Sequence, residues 1–123
     1  MDEEPPAPDL VAEGIRLFNE GYFFEAHEIW EEQWRRDQGP SHLFLQGLIQ
    51  VAAGLHHYQN GNVRGAAALL RKALDKLQRY PARYLDIDAE GLVNQVEGAR
   101  ALLEEPSTGD EPRATIRFPK ISR

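Results

Sequence analysis

The feature that most constrains the fold is a long apolar stretch between two helix-breaking sequences. From Ser41 to Gln59, apolar residues are so frequent that a helix formed there would have a very wide apolar face. Gln38-Gly39-Pro40 precedes the stretch and Asn60-Gly61-Asn62 follows it, and such residues typically end helices. A helix with so wide an apolar face needs other helices around it. The stretch therefore predicts an all-α protein with one central helix.

The remaining apolar positions predict four more helices around that central one. Apolar residues recur at helical spacing over residues 9–20, 22–36, 62–80 and 88–105. The segment 19–26 also lines up with 59–66, each with a glycine turn between two helices, which is weakly similar to a tetratricopeptide hairpin. We therefore expect a compact bundle of about five helices, built from two helical hairpins and a C-terminal helix.

The two ends of the chain differ in composition from the part between them. Residues 1–8 are acidic and proline-rich, which predicts a flexible lead-in before a single bundle domain over residues 9–105. Residues 106–123 form a basic tail that we expect to be extended. This tail is either frayed, as chain ends commonly are, or an arm that docks Ile116 and Phe118 into a groove of its own or a neighbouring domain.

Composition limits the classes of function. The formal net charge of −6 argues against nucleic-acid binding, and a short basic row (Lys72, Lys76 and Arg79) supports it only weakly. The chain has no cysteine, which excludes disulfides and thiolate chemistry. No apolar run reaches the roughly 20 residues of a membrane span, so we expect a cytoplasmic protein that does not enter a membrane.

The residues best suited to chemistry lie on the second predicted helix. His27 and Glu31 are four residues apart and can converge, as half of a site for a divalent transition metal. The segment resembles the zinc-protease pattern His-Glu-x-x-His, with Glu28 at its glutamate position. Because Glu31 replaces the second histidine, a metalloprotease is not the favoured interpretation.

A polar row on the central helix supplies possible partners. Gln46, Gln50 and His57 share one side of that helix. If the second and third helices are antiparallel, this row faces His27 and Glu31. Three interpretations stay open: a buried structural network, a ligand or metal site using His27, Glu31 and His57, and a catalytic acid–base pair.

Two tryptophans stand one turn apart on the same helix as His27. Trp30 and Trp34 are the kind of residue that anchors a core, but an exposed tryptophan is also a frequent contact for a protein partner. We therefore count both as candidate partner contacts.

Several separated motifs resemble one protein family. The segments are FNEGYFFEAHE (18–28), WEEQW (30–34), LQGLIQ (45–50) and HYQNGN (57–62). In this order they resemble the domain-of-unknown-function family numbered 309, over about residues 17–77. The resemblance implies a small helical bundle found in prokaryotes and plastids, with no established activity. It implies that the signature positions are His27, Glu28, Glu31, Trp34, Gln46, Gln50, His57 and Asn62.

Two hypotheses of function follow. The first is a non-enzymatic module that binds a protein partner or self-associates, with the polar cluster as an internal network. The alternative is a metal- or small-ligand-binding protein, with hydrolysis as one activity open to it, that uses His27, Glu31 and His57.

Overall fold

Capping and glycine residues define where the helices begin and end. The computed structural model describes residues 9–105 and 115–123. Asp9, Asn62 and Asp88 each accept a hydrogen bond from a main-chain N–H in the first turn of the helix that follows them. Gly21 and Gly61 have φ values of 88° and 81°, a left-handed conformation that glycine adopts without strain. The two aligned glycine turns of the sequence therefore have the same backbone conformation.

Five helices and one small hairpin make up the described part of the chain. The helices are α1 (Leu10–Asn19), α2 (Phe23–Arg36), α3 (His42–Gln59), α4 (Val63–Leu77) and α5 (Ala89–Glu104). Between α4 and α5, strands β1 (Arg83–Tyr84) and β2 (Ile87–Asp88) pair in an antiparallel register. The prediction of an all-α bundle is confirmed. None of these helices is both long and apolar enough to cross a membrane.

Helix α3 is the central element, packed between α2 and α4. Its apolar residues are buried over most of its length, among them Phe44, Leu48 and Leu55. At Gly54, an added Cβ would lie 3.2 Å from the main-chain oxygen of Ala66, so α3 and α4 approach closely at this crossing. The wide apolar face seen in the sequence is thus explained by helices on two sides.

The hairpin between α4 and α5 is absent from the sequence prediction. Its two turn residues, Leu85 and Asp86, have φ values of 51° and 59°, which are uncommon for residues other than glycine. Tyr84 packs on Phe44, with ring centroids 4.9 Å apart. Its hydroxyl lies 2.9 Å from Ser41 Oγ, so the side chain of Ser41 bonds Tyr84 and does not cap α3. Tertiary contacts, and not local turn residues, therefore stabilise this segment.

Residues 115–123 dock on the helical domain. Ile116 and Ile121 are each only 4% exposed. The ring of Phe118 meets the ring of Phe23 edge-on, with centroids 5.1 Å apart. Of the two arrangements considered for the tail, these residues have the docked one, against their own domain.

Candidate functional site

Helices α2 and α3 are antiparallel, which brings the predicted site residues together. Trp34, near the end of α2, stacks on His42 at the start of α3, with centroids 4.5 Å apart. The ring of Phe24, near the start of α2, has its centroid 5.2 Å from that of His56 at the end of α3. We call the row of side chains along this seam the α2–α3 face: Phe24, His27, Glu31 and Trp34 from α2, with His42, Gln46, Gln50, Ala53, His56 and His57 from α3.

His27 and Glu31 converge, in keeping with their spacing on one helix. Nε2 of His27 lies 3.6 Å from Oε2 of Glu31, and the two side chains are 26% and 34% exposed. The other oxygen of Glu31 lies 3.6 Å from Arg35 Nη2. At these distances neither contact of the carboxylate is a short hydrogen bond.

A small cavity opens at one end of the α2–α3 face. It has a volume of about 180 Å³ and is lined by Phe24, His27, Ala53, His56 and His57. The cavity has room for a few atoms of a ligand or for one inserted side chain. Imidazole and aromatic rings form most of its wall, so it can accept apolar groups, hydrogen-bonding groups or both.

Asn62 holds the imidazole of His57. Its Oδ1 accepts a hydrogen bond from Gly65 N–H at 2.9 Å, which leaves the amide nitrogen to donate. That nitrogen lies 3.2 Å from His57 Nδ1, so Nδ1 is the acceptor and a neutral His57 carries its proton on Nε2. The resemblance to the family gave Asn62 a signature position, and the geometry gives it two roles: it caps α4 and orients His57.

Three buried polar atoms on the α2–α3 face have no hydrogen-bond partner among the described residues. They are Nδ1 of His27, Oε1 of Gln50 and Nε1 of Trp34. A buried donor or acceptor without a partner destabilises a fold by roughly 1–3 kcal/mol. Native proteins contain few such groups, and each of them calls for an explanation.

The cluster differs from the buried, internally paired network that we expected. No polar or charged residue among residues 9–105 and 115–123 is buried as a whole. His27, Glu31, Gln46, Gln50 and His57 are all partly exposed. The row lies at the edge of the core because α2 and α3 turn their fully apolar sides to the centre of the bundle.

Two further predictions are corrected by the burial of individual residues. Trp30 is 0% exposed and donates its Nε1–H to Val11 O at 3.2 Å, so it is a core residue and not a partner contact. Trp34 is only partly buried and stays accessible at the surface. Glu28 is exposed on α2, outside the His27–Glu31 pair.

The three predicted metal ligands do not meet at one point. Across residues 9–105 and 115–123, no three His, Asp or Glu side chains lie close enough together to hold a metal ion. His27 pairs with Glu31, whereas His57 bonds Asn62. His27 and Glu31 thus form a pair, and His57 is held separately by Asn62.

Sequence reasoning missed Phe24, His42 and His56 as members of this face. A signal for Phe24 was present, because a helix that buries Phe23, Ala26 and Trp30 must turn position 24 outward. His42 lies one turn before Gln46 on the same side of α3, but its stacking on Trp34 depends on how the chain turns between α2 and α3.

These features define a class: a small helical bundle with a half-buried polar and aromatic row between two antiparallel helices. Residues 11–69 match the family model of the Domain of unknown function (DUF309), which confirms the resemblance seen in the motifs. The matched residues include all members of the α2–α3 face.

Two relatives share this region of sequence. An uncharacterized protein of Aquifex aeolicus (strain VF5) is 31% identical over 98 residues, covering 79% of this chain and 27% of the relative. The uncharacterized protein YpuF of Bacillus subtilis (strain 168) is 37% identical over 57 residues, covering 46% of this chain and 33% of the relative. The chain thus spans about a quarter to a third of the length of these relatives.

Proposed function

We propose that the protein is a non-enzymatic interaction module and that the α2–α3 face is its docking surface for a protein partner. The observation that carries this proposal is the set of three unpaired buried atoms on His27, Trp34 and Gln50. Buried polar atoms without partners call for an explanation, and a contribution to function is one such explanation. A bound partner that reorients these side chains can supply the missing hydrogen bonds.

Exposed aromatic residues at the start of α2 support a protein as the partner. Tyr22 and Phe24 are 54% and 45% exposed, and only Leu85 joins them among the large apolar side chains exposed in the described part of the chain. Aromatic side chains are enriched at the centres of protein interfaces. Phe24 also forms one wall of the cavity. It is therefore the residue most suited to anchor a partner.

The charge around the face indicates the chemistry of that partner. Glu28 is exposed on α2 directly after His27, and Glu31, partly exposed one turn along from His27, lies 3.6 Å from His27 and from Arg35. Acidic groups at the rim of an interface favour basic groups on the opposing surface. We therefore propose a partner segment with an apolar side chain for the cavity and basic residues around it.

Replacing Gln50 with methionine tests whether the unpaired atoms serve binding. Methionine keeps a similar volume and removes a buried acceptor that lacks a partner, so the free energy of unfolding should rise by about 1 kcal/mol. Urea denaturation measures the change. Gln59→Met is the matched control: Gln59 donates to Gly21 O at 3.1 Å, so this variant should gain nothing. A loss of stability in Gln50→Met would show that Gln50 is a structural residue.

Site-specific photo-crosslinking identifies the partner. A photoreactive phenylalanine analogue at position 24 should give one dominant covalent adduct in cells, whereas the analogue at exposed Ala101 on α5 should not. With the adduct's partner purified, Phe24→Ser should weaken binding at least about tenfold by removing an aromatic anchor. Equal adduct patterns at both positions, or unchanged affinity of Phe24→Ser, would exclude this docking surface. An adduct with a second copy of the chain would indicate self-association.

A second candidate is a small ligand or divalent transition metal bound by His27, Glu31 and His57. The cavity lined by three histidines and the 3.6 Å His27–Glu31 pair favour it. Because these three side chains do not meet at one point among the described residues, binding would require His57 to leave Asn62 and turn toward the His27–Glu31 pair. Metal binding is measured by elemental analysis of tag-free protein and by thermal shifts across a panel of divalent metals. We expect a bound metal and a shift lost in His27→Ala if this candidate is correct, and neither if it is not.

A further inference from the structure

The C-terminal segment occupies a site that recognises its main chain. We call residues 115–123 the arm, and the residues that bind it the arm site. The arm is extended and has no regular secondary structure. Ile116 and Ile121 are buried, and Phe118 packs between Phe23 of α2 and Tyr58 of α3, with ring centroids 5.1 and 5.9 Å away. With Pro119, which is also buried, the arm thus places four apolar side chains against the bundle.

Two side-chain amides of the arm site each bind one residue of the arm by both of its main-chain groups. Asn19 donates to Ile121 O at 2.9 Å and accepts from Ile121 N at 2.8 Å. Gln95 donates to Lys120 O at 3.0 Å and accepts from Lys120 N at 2.9 Å. Contacts to the main chain hold an extended peptide while pockets select its side chains, as in other peptide-recognition sites.

The arm site is built from helices that pack on one another without the arm. Asn19 belongs to α1 and Gln95 to α5, and the five helices are joined by packing of each helix on the next one, α4 on α5 included. The arm contributes no strand or helix to this arrangement. It is bound to the bundle as a ligand is, through side-chain pockets and amide hydrogen bonds.

Charge also favours the arm as a ligand of the bundle. The arm carries three basic side chains, Arg117, Lys120 and Arg123, and no acidic one, while the whole chain has a net charge of −6. Lys120 Nζ donates to Asn19 O at 2.5 Å, and Arg123 lies 3.8 Å from Asp9. The basic arm therefore meets a body of opposite charge.

We propose that the arm site is a peptide-binding site that also takes the arm of a second copy of this chain, so that two copies exchange arms. An identical arm makes identical contacts, and exchange of an identical element is a low-cost route to a dimer. The attached arm competes as a tethered ligand, with an effective concentration of order millimolar. Exchange is thus weak at low protein concentration and increases as the protein is concentrated. None of the residues named for the arm site lines the cavity at Phe24, and the inference does not depend on the proposed function.

Two full-length variants separate the arm from its site. Ile116→Asp/Ile121→Asp disables the arm and leaves the site intact, whereas Asn19→Ala/Gln95→Ala disables the site and frees an intact arm. We expect the mixture to form a 1:1 complex in sedimentation velocity, with each variant alone associating at least about tenfold more weakly. Adding Phe24→Ser to both variants should leave this complex unchanged, which separates arm exchange from the docking surface proposed above.

A labelled synthetic peptide of residues 115–123 tests the site directly. It should bind the arm-disabled variant and bind the unmodified chain at least about tenfold more weakly, because the attached arm competes. A peptide with Phe118→Ala should lose most of its binding. If the arm-disabled variant is unfolded by circular dichroism, the peptide should restore its helicity. A variant that neither binds the peptide nor refolds with it, or a variant mixture without a complex, would overturn the proposal.

Discussion

Trp30→Ala is expected to lower the free energy of unfolding by about 3–5 kcal/mol, the range for removing a large aromatic side chain from a core. Trp30 is completely buried. Its ring lies 5.8 Å from that of Phe18, and its Nε1 donates to Val11 O at 3.2 Å. At Gly14, even a single added Cβ would come within 2.1 Å of the indole. The indole therefore fills the space between α1 and α2, and alanine would leave a cavity there.

Urea denaturation measures this loss, and Trp34 offers a matched control. Trp30→Phe removes a satisfied donor and part of the buried volume, so it should cost at least about 1 kcal/mol. Trp34→Phe removes an Nε1–H that has no partner among the described residues, so it should be close to neutral. A loss below about 1 kcal/mol for Trp30→Ala, or equal losses for the two Trp→Phe variants, would contradict the burial described for α2.

Gly54→Val should destabilise the protein by about 1–3 kcal/mol, as inserting atoms into a packed core does. A Cβ added at Gly54 would lie 3.2 Å from Ala66 O and 3.1 Å from Leu70 Cδ2. The side chain of Leu70 can move, but the main chain of α4 can yield only if the two helices separate. The valine methyl groups would add to this conflict.

Gly98→Val is the control for Gly54→Val, since Gly98 also lies within a helix and a Cβ added there would have no neighbour within 4 Å. Because valine has a higher helix propensity than glycine, this variant should be neutral or slightly more stable. Thermal and urea unfolding of the two variants measure the difference. Equal stability of both would show that α3 and α4 do not meet closely at Gly54.

Much of the helical architecture could be predicted because its signals are local. Glycine turns and capping residues lie within a few positions of the boundaries that they set, as at Gly21 and Asn62. The convergence of His27 and Glu31 follows in the same way from a spacing of four residues on one helix.

Other features could not be predicted because they depend on contacts between distant parts of the chain. Asn19 binds Ile121 across 102 positions, and no local pattern marks either residue as a partner of the other. The different burial of Trp30 and Trp34 depends on how α1 packs against α2, because the two residues lie on nearly the same side of the helix. The turn at Leu85 and Asp86 lacks the glycine or asparagine that typically marks a left-handed conformation.

The α2–α3 face contains residues that the sequence pattern groups together, but its character differs from the closed network that was expected. Its polar members are half-buried, and three polar atoms on the face lack partners among the described residues. Sequence pattern assigns residues to a helix face but does not show whether their hydrogen bonds are satisfied. The polar atoms without hydrogen-bond partners are the basis for proposing a docking surface in place of a closed network.

The most direct measurement of the central proposal compares stability and affinity in the same variant. With the partner captured through position 24 in purified form, unfolding free energy and binding affinity are measured for the unmodified chain and for Gln50→Met. We predict that Gln50→Met is about 1 kcal/mol more stable and binds the partner at least about tenfold more weakly. A Gln50→Met variant that is less stable, or that binds with unchanged affinity, would contradict the proposal.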